Sequence, residues 1–341
     1  MNQQILACNV GIDISKSEFN ACILVRYNDF SYANLGTNVF ENNPKGFKAF
    51  FSWCNKAIDF ENKTFTMEFT GRYSEKPASF LHEKKATVFL VSPFKSNRFR
   101  QSYDADVKTD QTDAYTLAVM GLERKLVQWQ PDSEFFANLK IIVRERYGLI
   151  KQRTAIKNKL HALHYAAAST LPTVKRLKEQ MKLINRQIRE IDKQVEEYLK
   201  TDESVWQKVE SLQTIPGIGL TTISTILVET DGFRKTKNVK ELTAFAGYKV
   251  TINESGIYKG RSHISKRGNK FIRHALHMPI LCVIQVNPLL KPKYLSLKAR
   301  KAKPIIATTA IERKTLILMY SMYKNNTSFD ANYLKSNTLM N

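Results

Sequence analysis

The sequence predicts an α/β layer built on a mixed sheet, followed by a mainly helical C-terminal part. Three observations carry this. The first 120 residues alternate β-rich runs with helical stretches in the order β-β-β-α-β-α-β-α. From about Ser133 to Lys200 apolar residues recur at helical spacing over two long runs. After residue 205, glycine- and proline-containing turns punctuate further helical stretches.

Residues 7–27 (ACNVGIDISKSEFNACILVRY) hold two β-rich runs joined by a polar Ser-Lys-Ser turn, which reads as a hairpin. Residues 31–40 supply a third strand. A helix over Pro44 to Ile58 starts near its proline. Thr64 to Phe69 is a short β-run that stops at Thr70-Gly71-Arg72. Residues 75–84 read as helix. Thr87 to Val91 has the character of a buried strand, ended by Ser92-Pro93, and helix resumes from about Asp110. In the next segment Leu139, Ile142, Val143, Tyr147 and Ile150 share one helical face, as do Ile184, Ile188, Ile191, Val195 and Tyr198. The two runs form a helical hairpin or coiled-coil arm around a loop containing Pro172. Such an arm usually mediates self-association and less often grips nucleic acid. Ile215-Pro216-Gly217-Ile218-Gly219 then separates two helices. Residues 239–247 are helical, 248–262 form a loop or hairpin, and 266–286 are helical again. The Asn-rich tail after Met322 reads as poorly ordered.

The chain of 341 residues has 43% hydrophobic and 25% charged side chains, so it can bury a core and is not globally disordered. Its 53 Lys and Arg against 31 Asp and Glu give a net charge of +22, which points to a polyanion partner, most simply nucleic acid. The excess is uneven. Residues 1–120 carry 14 basic and 13 acidic groups, whereas residues 234–314 carry 19 and 3. The near-neutral N-terminal third can hold clustered carboxylates, and the C-terminal third is the expected polyanion-gripping surface. Four scattered cysteines with no Cys-x-x-Cys pair give neither a zinc ribbon nor a disulfide framework. A reducing cytosol is the expected compartment. No signal peptide is read at the N-terminus, and the apolar stretch Leu276 to Leu290 is too short to span a bilayer.

Asp13 lies within a β-run, on the face opposite Ile12 and Ile14, where a carboxylate is costly unless paired or bound to metal. Glu68 ends another β-run. Asp110 and Asp113 are spaced i, i+3, on one helical face. Each acid alone reads as a surface charge or cap, and the nearby Asp104 and Asp106 could replace one member. Together they form an all-oxygen set suited to Mg²⁺ or Mn²⁺. Two such ions, about 3.5–4 Å apart, clamp the attacking and leaving oxygens of phosphoryl transfer. Carboxylates in this order on this layer point to an RNase H-like nuclease core.

The Ile-Pro-Gly-Ile-Gly turn offers backbone N–H groups at Gly217 and Gly219 to a phosphate, in the style of a helix-hairpin-helix motif. The competing reading is an ordinary helix-helix turn. Residues 253–273 place a Ser255-Gly256 step before Lys259, Arg261, Lys266, Arg267 and Arg273. Serine is a weak nucleophile that needs a base, a metal or cations to attack a phosphodiester, and the basic residues can stabilise developing phosphoryl charge. Spacing alone favours a turn serine beside a phosphate-binding run.

The ordered set resembles the DEDD transposases of the insertion-sequence one-ten group and the related Piv DNA invertases. The segments are V-G-I-D-I-S-K around Asp13, M-E-F-T-G-R-Y around Glu68, D-V-K-T-D-Q-T-D-A through Asp110 and Asp113, L-Q-T-I-P-G-I-G, A-F-A-G ending at Gly247, Ser255-Gly256, and I-S-K-R-G-N-K-F-I-R ending at Arg273. The resemblance implies a RuvC-like domain over residues 1–130, a coiled-coil linker over 131–204, a C-terminal transposase domain over 205–322 and a tail over 323–341. It implies metal binding by Asp13, Glu68, Asp110 and Asp113, and a catalytic serine at Ser255 that links covalently to DNA. It further implies bridge-RNA guidance, and homo-oligomers in which dimers assemble into tetramers with composite sites. Two other functions compete: a Holliday-junction-type endonuclease using metal-activated water, and a non-catalytic nucleic-acid-binding protein with a decayed nuclease core.

Overall fold

The structure is a computed structural model that describes residues 4–102, 110–166, 171–251, 254–255, 258–259, 263–300 and 303–332. The chain divides into two compact units, Met1–Pro131 and Asp132–Asn341.

The first unit is a five-stranded sheet of order β3-β2-β1-β4-β5 with helices packed on it. Strands β1 (Ile5–Ile14), β2 (Glu18–Tyr27) and β3 (Tyr32–Glu41) form an antiparallel meander. Helix α1 (Pro44–Ala57) begins with Asn43 accepting the Gly46 N–H and with Pro44 in the first turn. Strand β4 (Thr64–Glu68) pairs parallel to β1, and β5 (Thr87–Val91) parallel to β4, with α2 (Glu75–Glu83) between them. Helices α3 (Pro93–Gln101) and α4 (Asp110–Glu123) complete the unit. This is the RNase H-like mixed sheet that the element order predicts.

Alternation on β1 decides which side does what. Cys8, Val10, Ile12 and Ile14 are buried in one apolar cluster with Phe47, Phe50 and Phe65. Fully burying such a side chain is worth about 1.5–3 kcal/mol, so this face fixes the register. The opposite face carries Asn9, Gly11 and Asp13, and there α4 lies almost on the backbone. A Cβ at Gly11 would stand 2.0 Å from the Ala114 carbonyl oxygen and 2.3 Å from the Ala118 nitrogen. Asn9 is held by donating to Thr64 Oγ1 at 2.7 Å and Thr66 Oγ1 at 3.0 Å.

The second unit opens with the helical hairpin α5 (Glu134–His164) and α6 (Leu171–Lys200). Its buried seam continues through Ile156, Ile184 and Ile188 into the main core at Ile191, Val195 and Leu199. Pro172, expected in the loop, is instead the second residue of α6, where the missing N–H costs no helical hydrogen bond. Helices α7 (Glu203–Gln213) and α8 (Leu220–Thr230) flank the Ile-Pro-Gly-Ile-Gly turn, and α9 (Val239–Phe245) follows.

Four two-residue strands come next: β6 (Val250–Thr251), β7 (Glu254–Ser255), β8 (Tyr258–Lys259) and β9 (His263–Ile264). Helices α10 (Lys270–Val286), α11 (Leu290–Arg300) and α12 (Pro304–Asn325) close the unit. Helix α10 runs through Pro279 without ending there. Proline cannot donate to the Ala275 carbonyl, and Thr222 Oγ1 donates to it instead at 3.3 Å. The tail is ordered further than expected. Helix α12 continues past Met322 with Tyr323 buried, and the Phe329 N–H donates to Thr214 Oγ1 at 2.8 Å. No helix among the described residues is long and apolar enough to cross a membrane.

Candidate active site

Parallel pairing of β1 and β4 sets Ile12 beside Met67, so Asp13 and Glu68 fall at the carboxyl ends of adjacent strands. In open α/β sheets that end is where ligands bind. Helix α4, drawn onto the sheet at Gly11, brings Asp113 to the same place. Asp13, Glu68 and Asp113 thus line one cavity of about 580 Å³, together with Ser96, Asn97 and Arg100 of α3. Leu117 and Met120 add apolar lining to the same cavity. Asp110 is the first residue of α4, and its side chain lies outside the described residues, as do Asp104 and Asp106.

The carboxylates are already engaged. Ser96 Oγ donates to Glu68 Oε2 at 2.5 Å. Arg100 Nη1 donates to Asp113 Oδ1 at 3.3 Å, while its Nη2 donates to Asn97. A guanidinium therefore places positive charge among the carboxylates. The oxygen-only donor set fits a hard divalent cation. Among the described residues, however, no three acid, His or Cys groups converge closely enough to hold one as they stand. Ser96 and Arg100 are the site residues that sequence reasoning missed, because α3 has no apolar period. Ser92 followed by Pro93 is a helix-start signature that could have flagged it.

Ser255 lies in the second unit, on a two-tier hairpin. At its root β6 pairs with β9, and above that β7 pairs with β8, with Ser255 opposite Tyr258. Ser255 is exposed. Gly256, Arg261 and the Lys259 side chain lie outside the described residues.

The neck of the hairpin is rigidly built. Gly247, at φ +81°, meets Gly268 back to back: a Cβ on Gly268 would stand 2.5 Å from the Gly247 nitrogen. Ser265 N–H donates to Lys249 O at 2.8 Å, and Lys266 N–H to Gly247 O at 3.1 Å. This close crossing gives a physical reason for the Ala-Gly and Arg-Gly-Asn segments. Arg273, expected as a phosphate contact, directs Nη1 to the Ala246 carbonyl at 2.7 Å and the Asn269 carbonyl at 3.3 Å. It braces the neck. Lys266 and Arg267 are exposed in the segment between β9 and α10, with Lys266 at φ +53°.

Two buried polar networks anchor this neck. Arg144 holds Glu229 with Nε at 2.9 Å and Nη2 at 3.0 Å, and Asn269 Nδ2 donates to the same carboxylate at 2.6 Å. Asn269 Oδ1 also caps α10. Burial works to raise the Glu229 pKa, but the hydrogen bonds and charge of Arg144 outweigh it and hold the carboxyl below its ordinary value. In the second network Tyr248 Oη donates to Glu312 Oε2 at 3.0 Å, and His277 Nδ1 lies 2.8 Å from Glu312 Oε1. Burial, then the Glu312 charge, pushes the Tyr248 phenol far above its usual range.

The Ile-Pro-Gly-Ile-Gly glycines differ. Gly217 has φ +90°, and a Cβ there would stand 2.8 Å from the Val283 nitrogen of α10. Gly219 opens α8 as its N-cap, and a Cβ there would meet nothing within 4 Å. Gly217 therefore serves packing, and Gly219 leaves an approachable helix start.

Two family models match the chain. One, described as a transposase of the DEDD IS110 type, matches residues 10–164. The other, described as transposase IS116/IS110/IS902 family, matches residues 209–295. The chain is 28% identical over 329 residues to a pilin gene-inverting protein of Moraxella bovis, covering 94% of this chain and 97% of the relative. It is 25% identical over 210 residues to the transposase for insertion sequence element IS1111A of Coxiella burnetii, covering 55% of this chain and 57% of that one. Among solved structures, Thermus thermophilus RuvC aligns with 36% of this chain and 99% of its own, at 9% identity and a TM-score of 0.28. The matched regions contain every segment that carried the resemblance, and the chain belongs to the IS116/IS110/IS902 family of transposases.

Proposed function

We propose that this protein cuts and rejoins DNA to insert, excise or invert a mobile segment, using a carboxylate site in the first unit and Ser255 in the second. The observation that supports this most is the gathering of Asp13, Glu68 and Asp113 from three separate elements into one cavity at the strand ends. Asp110, Asp113, Asp13 and Glu68 would hold Mg²⁺ or Mn²⁺. When bound, such ions supply Lewis-acid stabilisation of charge on the phosphoryl oxygens. Ser255 Oγ attacks the scissile phosphorus. The Oγ–P bond forms, one P–O bond to deoxyribose breaks, and the released sugar oxygen takes up the proton that serine loses, through solvent. The phosphoserine link retains the phosphodiester energy for rejoining. Lys266, Arg267, Lys259 and Arg261 balance phosphate charge beside the serine, and Gly219 offers backbone N–H groups to the DNA backbone.

The relative from Moraxella is named as a pilin gene-inverting protein, and inversion is one outcome of the same cut-and-rejoin chemistry. We further propose that an element-encoded bridge RNA pairs with donor and target DNA. In the assembled tetramer, the acidic cavity of one protomer and the serine hairpin of another form each composite site.

The test is a denaturing gel. Wild type, Ser255→Ala and Asp13→Ala are incubated with element-end DNA, Mg²⁺ and RNA transcribed from the flanking non-coding region. A DNA-linked protein band in wild type, lost in both variants, is expected. Cleavage without any such band, unaffected by Ser255→Ala, would establish the water-using endonuclease instead.

A further inference from the structure

The charge of the helical hairpin is segregated along its length. Its two helices run side by side in a register fixed by Arg146 on Asp192 and by Arg153 Nη1 donating to Asn185 Oδ1 at 3.4 Å. On the root side of the Arg153 contact, eight basic groups face six acidic ones. The ion pairs there include Arg146 with Asp192, Arg186 with Glu190 and Lys193 with Glu197. Beyond it, residues 153–184 contain seven Lys and Arg, two His and the single acid Glu179. Among the described residues, no carboxylate forms an ion pair with Lys157, Lys175, Lys178 or Lys182.

The basic side chains are arranged in rows. Arg153, Lys157 and His161 follow one another at i, i+4 spacing on α5, and Lys175, Lys178 and Lys182 at i, i+3 and i+4 spacing on α6. The three lysines of α6 line an open groove with Leu171, Pro172, Val174 and one carboxylate, Glu179. At the end of α5, Tyr165 is 75% exposed, and the rings of His161 and His164 each lie 5.1 Å from it. An exposed aromatic group beside two imidazoles, at the end of a helix rich in Lys and Arg, suits contact with sugars and bases.

We infer that the distal end of this hairpin is a binding surface for the phosphate backbone of a nucleic-acid duplex. From Arg153 to His164 the helix extends about 16 Å. That length of double helix presents roughly nine phosphate charges, and the hairpin end carries seven Lys and Arg against one acid. Pairing two copies of this end would set like charges against each other, which disfavours it as a self-association surface. The surface shares no residue with the serine hairpin or the acidic cavity. It requires only that the protein binds nucleic acid, and not the cutting chemistry proposed above.

The experiment compares full-length wild type with a quadruple variant, Lys157→Gln, Lys175→Gln, Lys178→Gln and Lys182→Gln. All four side chains are exposed, so the fold is expected to persist, and melting curves check this. The control removes the same charge from exposed sites of the other unit: Lys45→Gln, Lys48→Gln, Lys56→Gln and Lys84→Gln. Affinity for a 20-base-pair DNA duplex and a 20-base-pair RNA duplex is measured in EDTA over a salt series. The hairpin variant is expected to lose about tenfold in affinity, with a log–log salt slope shallower by about 2 to 3. The control should stay within about twofold. Loss on one duplex alone identifies the partner as DNA or RNA, and loss on both identifies contact with the backbone of either.

Unchanged binding by the hairpin variant overturns the inference, as does an equal loss in the control. A variant that changes oligomeric state in sedimentation while keeping its affinity per protomer would make the hairpin an assembly surface, and also overturns it. Wild type that binds neither duplex removes the nucleic-acid reading itself, and the hairpin site with it.

Discussion

Arg100 shows how much of the candidate site rests on single side chains. Its guanidinium occupies the acidic cavity and pairs with Asp113 at 3.3 Å. A cation entering that cavity has to displace it. Arg100→Gln is therefore expected to tighten Mn²⁺ binding several-fold, read by electron paramagnetic resonance of free Mn²⁺. Unchanged or weaker binding would mean that the pair does not compete with metal. Glu229 makes the complementary case in the second unit. Its side chain is 1% exposed and holds both Arg144 and Asn269. Glu229→Gln leaves the Arg144 charge partly uncompensated and should cost about 3 kcal/mol. Because the folded-state pKa of Glu229 is depressed, its contribution is present above the unfolded pKa and is lost as pH falls through the folded one. The gap in melting temperature between wild type and Glu229→Gln should therefore narrow on acidification. Neither Arg100 nor Glu229 was legible in the sequence as a site residue. Both act through partners distant along the chain, such as Asn269 and Asp113, and charge spacing does not reveal those pairings.

At the scale of elements, glycine positions set the close approaches. Gly11→Ala would drive a Cβ into the Ala114 carbonyl of α4, and backbone cannot retreat as a side-chain tip can. A loss of about 3 kcal/mol is expected from urea unfolding of this unit. Displacement of α4 would also carry Asp113 away from Asp13. The turn glycines give a paired prediction. Gly217→Ala should destabilise by about 2 kcal/mol or more, because its φ is +90° and Val283 blocks the Cβ, whereas Gly219→Ala should melt like wild type. Any loss of DNA binding by Gly219→Ala then reports the helix start itself. Strands β1 to β5 and helices α1, α2 and α4 were legible in the sequence, since alternation and helical periodicity both reflect burial on one face. Helix α3 was not, because it packs through few apolar residues. The separate helices α11 and α12 were also not distinguished. Pro172 sits in the first turn of α6 and marks a helix start rather than a loop, whereas Pro279 sits inside α10 with its freed carbonyl satisfied by Thr222 and marks no boundary.

For the whole molecule, the charge excess is partitioned much as the sequence indicates: the carboxylate site is in the near-neutral first unit, and most of the basic surface is in the second. The residue types of the candidate site and their division between two parts of the chain were legible in the sequence, but the partners that engage them were not. Three acids share a cavity, whereas Ser255 stands on a hairpin whose neck is locked by the crossing of Gly247 and Gly268. A rigid neck beneath an exposed serine suits a nucleophile presented to DNA. In the proposed chemistry this serine, and no other group, becomes bonded to DNA. Trypsin should release Val250–Lys259 as one peptide after the trapped complex is digested with nuclease. Mass spectrometry is predicted to find a nucleotide on that peptide, with fragmentation placing it on Ser255 rather than Thr251, and to find none with Asp13→Ala. A nucleotide on another residue, or cut DNA with every peptide unmodified, would contradict the account.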